Sequence, residues 1–158
     1  MTLGAPGGMD DGAAEQRLAE RVVRGMLHRD AFSAWLGLRL VEVRPRAAAV
    51  QMTVRPDMLN GFGVCHGGVT FALADSALAF ASNTSGQVTV SIENSITYPA
   101  SVSAGDVLTA VALEESEANR IAFYAVRVTK QDDSVVALFR GTVYRTRLAH
   151  EVNEETDG

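Results

Sequence analysis

One cysteine in 158 residues leaves no internal disulfide framework to build, a composition that fits a reducing cytoplasm. Basic clustering is missing as well. The 14 Lys and Arg are scattered singly against 19 Asp and Glu, a net charge of −5, which argues against a DNA or RNA partner. No apolar run is long enough to span a bilayer, because the most apolar segment is interrupted by Asp75, so no membrane partner is expected. The first residues (MTLGAPGGMDDGAAEQ) carry no basic stretch followed by an apolar one. No secretory leader is expected there, and the expected location is cytoplasmic. Three histidines and one cysteine form no ligand cluster at a recognisable spacing, so no metal is expected. The glycine-rich nucleotide-binding signatures and the Gly-x-Ser-x-Gly nucleophile elbow are also missing. No repeat and no second domain are visible.

What is present falls into a simple order. Residues 1–13 and 149–158 offer little to bury and read as flexible tails, the second one acidic, around a single domain at 14–148. Leu18, Val22 and Met26 recur every fourth residue, with Leu27 beside them, and predict an amphipathic helix from Ala14 to about Asp30. Asp30 can cap a short turn of helix closed by Gly37. A strand pair follows around Pro45, then a loop from Arg55 to Val64. An apolar helix runs from Gly67 to about Ser82. Four strand-like runs come after Gly86, broken at Ser103–Gly105, Glu117–Asn119 and Asp132–Asp133. Helix, two strands, long apolar helix, four strands is an α+β arrangement. One antiparallel sheet must cover the apolar helix, which has too little polar face to be left bare.

The chemistry concentrates on that helix. Asp75 is the only charge between Gly67 and Ala81, and burying an unpaired carboxylate costs several kcal/mol. It is either a structural acid that caps another backbone segment or pairs with an arginine, or a reacting group. Just ahead stand Cys65, His66, Gly67 and Gly68. His66 can serve as an ordinary loop histidine or as a site residue. The glycines can serve close packing, or expose backbone amides to a ligand at the positive end of the helix. A Cys65–His66 nucleophile pair is disfavoured, because adjacent residues in an extended loop point apart.

Spacing sharpens the reading. Asp75 lies eight residues beyond Gly67, or roughly 12 Å along a helix. A carbonyl held on the Gly67 amide is then out of reach of Asp75 in the same chain, since both must approach within about 3 Å. A second copy of the helix running antiparallel alongside would bring them together. The expectation is a two-fold dimer with composite sites at the interface, and an active, strictly monomeric protein would contradict it.

The string MLNGFGVCHGGVTFALADSALAFASN, followed by VSIENSITY, AGDVLTA and VALFRGTVYR, resembles the hotdog-fold acyl-CoA thioesterases. Within them it is most similar to the bacterial phenylacetyl-CoA thioesterases of phenylacetate degradation. The likeness spans about Ala31 to Arg147. It implies a long antiparallel sheet wrapped around the central helix, and a homodimer as the minimum active unit, with dimers often paired into a homotetramer. It implies Asp75 as general base or nucleophile and the Gly67 amide as the donor to the thioester oxygen. His66 would orient the loop or approach the leaving sulfur, Asn60 would help fix water or the carboxylate of the opposing chain, and Ser91 would help hold the attacking water. Acyl-CoA is then the substrate, with CoA a product rather than a retained cofactor.

The branch often carries an arginine before the Ala-Gly-Asp turn, where this chain has Tyr98-Pro99-Ala100-Ser101. Its phosphate contacts therefore do not transfer. Arg140 or Arg120 could meet phosphate instead, or be solvated strand arginines. Phe71, Leu78 and Leu59 are expected to line an acyl pocket that admits phenylacetyl and medium-chain groups alike. Two rival readings share the fold: an enoyl-CoA hydratase or dehydratase, and a non-catalytic acyl-CoA-binding protein. The first typically places its Asp and His a few residues apart, whereas here they are nine apart.

Overall fold

The apolar helix α3 (Gly67–Asn83) is the axis on which the other elements are arranged. In the computed structural model, which describes residues 8–152, its Leu73, Ala74, Ala77, Leu78, Phe80 and Ala81 are all buried. Each large side chain withdrawn from water contributes about 1.5–3 kcal/mol, so Leu73, Leu78 and Phe80 anchor the fold. Before α3 come α1 (Gly8–Arg29), α2 (Ala31–Leu36), β1 (Arg39–Arg44), β2 (Ala47–Thr53) and a 3-10 turn at Pro56–Met58. After it come β3 (Gln87–Thr97), β4 (Val107–Ala118), β5 (Ile121–Thr129) and β6 (Val135–Ala149). The six strands form one antiparallel sheet in the order β1-β2-β4-β5-β6-β3, and its inner face closes over α3. The predicted α+β layout and its hotdog arrangement are therefore present.

Alternation on the inner strands explains the closure. On β5, Ala122, Tyr124, Val126 and Val128 are buried while Phe123 and Arg127 face out, the pattern of a sheet with one covered face. The turn residues are set by backbone geometry: Asn119 adopts φ 57° in the tight turn between β4 and β5. At the end of α3 the Asn83 carboxamide accepts from Thr89 N at 2.8 Å and donates to Thr89 O at 3.0 Å. Gly86, at φ 83°, then turns the chain into β3.

Both ends differ from expectation. The first helix begins at Gly8 rather than Ala14, with Asp10 and Asp11 in its first turn, where acids favour the positive helix end. It buries Ala19, Val22 and Val23, with Leu18 only half-buried, and Gln16 Nε2 donates to Val43 O at 2.8 Å to tie it to β1. At the other end Ala149 is still in β6. His150 N donates to Gly86 O at 2.8 Å, and its ring lies 2.7 Å from Asn83 Oδ1, so neither residue is a free tail. Glu151 and Val152 follow outside any helix or strand, and residues 1–7 and 153–158 of the two expected tails lie outside the described residues. Among the described residues no helix is long and apolar enough to cross a membrane.

Candidate active site

A helix start leaves backbone N–H groups without intrahelical partners, and the sequence of α3 disposes of most of them locally. His66 is the N-cap, with φ −60° and ψ 131°. Its Nδ1 accepts from Gly68 N at 2.9 Å, and its carbonyl accepts from Val69 N at 2.9 Å. Because Nδ1 is an acceptor here, the neutral ring carries its proton on Nε2. Among the described residues the Gly67 N–H has no such partner. Tyr98 closes over the same residue from its other peptide: its hydroxyl donates to Gly67 O at 2.8 Å. A Cβ on residue 67 would stand 3.1–3.5 Å from the Tyr98 ring and hydroxyl, so a side chain there would push the ring back by a few tenths of an ångström, and glycine lets it close in. A free amide at a positive helix end is suited to an oxyanion.

The preceding loop holds this corner in place. Asn60 Oδ1 accepts from Phe62 N at 2.9 Å and Val64 N at 3.4 Å, and Asn60 N donates to Val64 O at 2.8 Å. The Asn60 oxygen is thus committed to its own loop, leaving its amide group for any outward contact. Cys65 N donates to Val102 O at 2.7 Å, and the cysteine side chain is buried. Burial pushes its thiol pKa up, the reverse of what a thiolate nucleophile needs.

Asp75 is half-buried on α3. Its carboxyl pKa is raised by burial, opposed by one hydrogen bond, from Asn94 Nδ2 to Asp75 Oδ1 at 3.1 Å. Ser91 Oγ in turn donates to Asn94 Oδ1 at 2.8 Å. Ser91 therefore reaches Asp75 through Asn94, a residue that the sequence reading missed. Strict alternation puts residues 91 and 94 on opposite faces of a strand. A bulge between Ser91 and Glu93 puts them on the same face, against Val143 and Gly141 of β6. The available signal was crowding: Ser91, Glu93, Asn94 and Ser95 are more polar groups than one solvent face of β3 accommodates by alternation.

The structure thus makes two groups, His66 with Gly67 at the start of α3, and Asp75 with Ser91 two turns later, with Asn60 in the adjoining loop. The helical rise keeps the two groups roughly 12 Å apart within one chain. A cleft of about 340 Å³ lies elsewhere, at the far end of α3, lined by Leu18, Arg46, Thr84, Gln87, Glu117 and Arg145. Of the expected pocket residues, Phe71 and Leu59 are half-buried, Phe71 edge-on to Phe139 at 5.3 Å. Leu78 is in the core instead, because β6 closes directly over it at Gly141. Arg140 faces out from β6 toward Glu115, and Arg120 donates to Arg145 O at 3.2 Å. Among the described residues no group of three or more His, Cys, Asp and Glu side chains is placed to hold a metal ion.

Residues 62–137 match the model of a family described as the thioesterase superfamily. The chain is 39% identical over 133 residues to a putative esterase of Archaeoglobus fulgidus, covering 84% of this chain and 86% of that one. It is 38% identical over 120 residues to the acyl-coenzyme A thioesterase PaaI of Escherichia coli, covering 76% and 86%. The solved structure of the E. coli PaaI protein, from the phenylacetic acid degradation operon, superposes with a TM-score of 0.83 at 34% identity, over 85% of this chain and 97% of that one. The smu.793 protein of Streptococcus mutans, solved bound to acetyl CoA, gives a TM-score of 0.67 at 28% identity, over 69% and 88%.

Proposed function

The chain belongs to the thioesterase superfamily, as an acyl-CoA thioesterase of hotdog fold related to PaaI, and from that premise we propose that it releases CoA from aryl-acetyl or medium-chain acyl thioesters. The observation that carries the reading is the pairing on one helix of a half-buried carboxylate of raised pKa with an unbonded glycine amide at the N-terminus. The thioester oxygen sits on the Gly67 N–H of one copy. Asp75 of the two-fold-related copy takes a proton from water, whose oxygen attacks the carbonyl carbon. A raised pKa makes Asp75 a stronger base than an ordinary aspartate. The oxyanion gains from the amide and the helix end, and collapse of the adduct breaks the carbon–sulfur bond. The departing thiolate meets the His66 Nε2–H. If Asp75 attacks directly, an acyl anhydride forms first, and in a single turnover oxygen-18 water that opens it at the Asp75 carbonyl leaves its label in that carboxylate, whereas a general-base route never labels it.

Two features support the two-fold arrangement. The 12 Å gap between Gly67 and Asp75 is closed only by a second copy. The strand β3 is a free edge 11 residues long that exposes Val90 (45%) and Ile92 (57%), a surface that isolated chains rarely leave unpaired. Pairing of dimers into tetramers is part of the same proposal. CoA enters only as part of the substrate and leaves as product.

The test is thiol release from phenylacetyl-CoA and a panel of linear acyl-CoAs, with crotonyl-CoA hydration measured in parallel. Turnover of the thioesters without hydration is expected. Hydration without thiol release, or binding without either reaction, would overturn the proposal.

A further inference from the structure

Asn94 is bonded on both sides, and the chemistry of its partners decides which way it faces. A carboxylate only accepts hydrogen bonds, so Asn94 must turn its NH₂ to Asp75 and its oxygen to Ser91. The Ser91 hydroxyl must then be the donor in that contact. We infer that Asn94 is a positioning residue for Asp75, and that Ser91 sets its orientation, so that Ser91 Oγ faces the site as an acceptor only. The inference rests on Asp75 being the reacting carboxylate.

Three features of the fold serve this arrangement. The bulge between Ser91 and Glu93 brings two residues three apart onto one face of β3. Gly141, opposite Asn94 on β6, provides the space: a Cβ there would clash with Leu78 Cδ2 and stand 2.9 Å from Asn94 Oδ1. Among the described residues Asp75 Oδ2 has no hydrogen-bond partner, so one carboxylate oxygen is held by Asn94 while the other is left for a proton. Among the described residues no charged group shifts Asp75, which responds to burial and to the Asn94 amide. The nearest acid on the strand, Glu93, is turned outward to Thr142 Oγ1 at 3.5 Å.

A consequence follows for the attacking water. Its first proton goes to Asp75 Oδ2. Its second can be held by a Ser91 lone pair, because the Ser91 proton is already committed to Asn94. If the amide turned over, its oxygen would meet the carboxylate and the Ser91 proton would be free to compete for the water oxygen.

The test combines a ¹³C NMR titration of the aspartate carboxyls, with Asp75 assigned by its loss in Asp75→Asn, and pH profiles of kcat and KM for an acyl-CoA substrate. In Asn94→Leu the Asp75 titration and the acid limb of the kcat profile should move to higher pH. kcat should fall about tenfold, the scale of a hydrogen bond to a charged group, with KM little changed. Ser91→Ala, at an exposed position, should move both in the same direction by less, and Ser91→Thr should restore them. Were Asn94→Leu to fail to fold, Ser91→Ala would carry the same comparison. An Asp75 titration unmoved in the folded variants, with Asp75→Asn inactive, would overturn the role of Asn94 alone. Full activity in Asp75→Asn would overturn the catalytic reading of Asp75, and the inference with it.

Discussion

Asp75 carries a cost that its surroundings only partly offset. Burial raises its carboxyl above the ordinary 3.8, so folding favours the protonated form. Compared with a neutral side chain, it is well tolerated below that ordinary value and costs stability increasingly as pH rises through the raised one. Asp75→Asn should therefore melt at higher temperature than the wild type at pH 8, with the gain shrinking as pH falls toward 4, while thiol release drops by about 10²-fold or more. Scanning calorimetry at both pH values, beside a thiol assay, checks both halves. Gly67 has the complementary sensitivity. Gly67→Ala must displace the Tyr98 ring, so it should lower kcat more than Tyr98→Phe, which loses only a hydrogen bond worth about 1 kcal/mol. Asp75, His66 and Gly67 were legible in the sequence because a lone acid in an apolar helix and a glycine pair at its start stand out by composition. Asn94 did not, because alternation alone sets it on the face opposite Ser91, and only the bulge brings the two together.

At the scale of elements, the apolar helix, the strand pairs and their turns were legible from periodicity and breakers, since each obeys a local rule. What was not legible depended on contacts remote in sequence. The face of α1 is set by docking on the sheet through Ala19 and Val23, and the end of β6 by the bonds from His150 to Asn83 and Gly86. The same applies to Gly141, which reads as an ordinary strand glycine until Leu78 is seen beneath it. Gly141→Ala should lose about 1–3 kcal/mol by overpacking, measured by urea unfolding. The ionic cluster on the strands is a second such contact. Arg145 meets Glu114 at 2.8 Å with the two side chains 16% and 10% exposed, and it also binds Glu117, while Tyr124 donates to Glu114 at 2.8 Å. Arg145→Met should cost about 3–5 kcal/mol, because Glu114 is left buried without its cation.

For the whole molecule, the proposed arrangement has one reaction centre drawing on two copies of the chain. The sheet order leaves β3 as a free edge, and the rise of α3 separates the amide from the carboxylate. Gly67 occupies the first helical position, where proline is accommodated, so Gly67→Pro deletes the free N–H on top of the Tyr98 displacement that any Cβ there brings and that Gly67→Ala measures alone. The loss of one such oxyanion donor should reduce kcat by about 10²–10³-fold. The most direct measurement is thiol release by a mixed oligomer, made by co-expressing Asp75→Asn and Gly67→Pro chains with different tags and purifying on both. If each site takes Asp75 from one copy and Gly67 from the other, a mixed dimer keeps one intact site, and activity should return to as much as about half that of the wild type. If the mixed oligomer is as inactive as its two parents, both groups act within one chain and the composite site is contradicted.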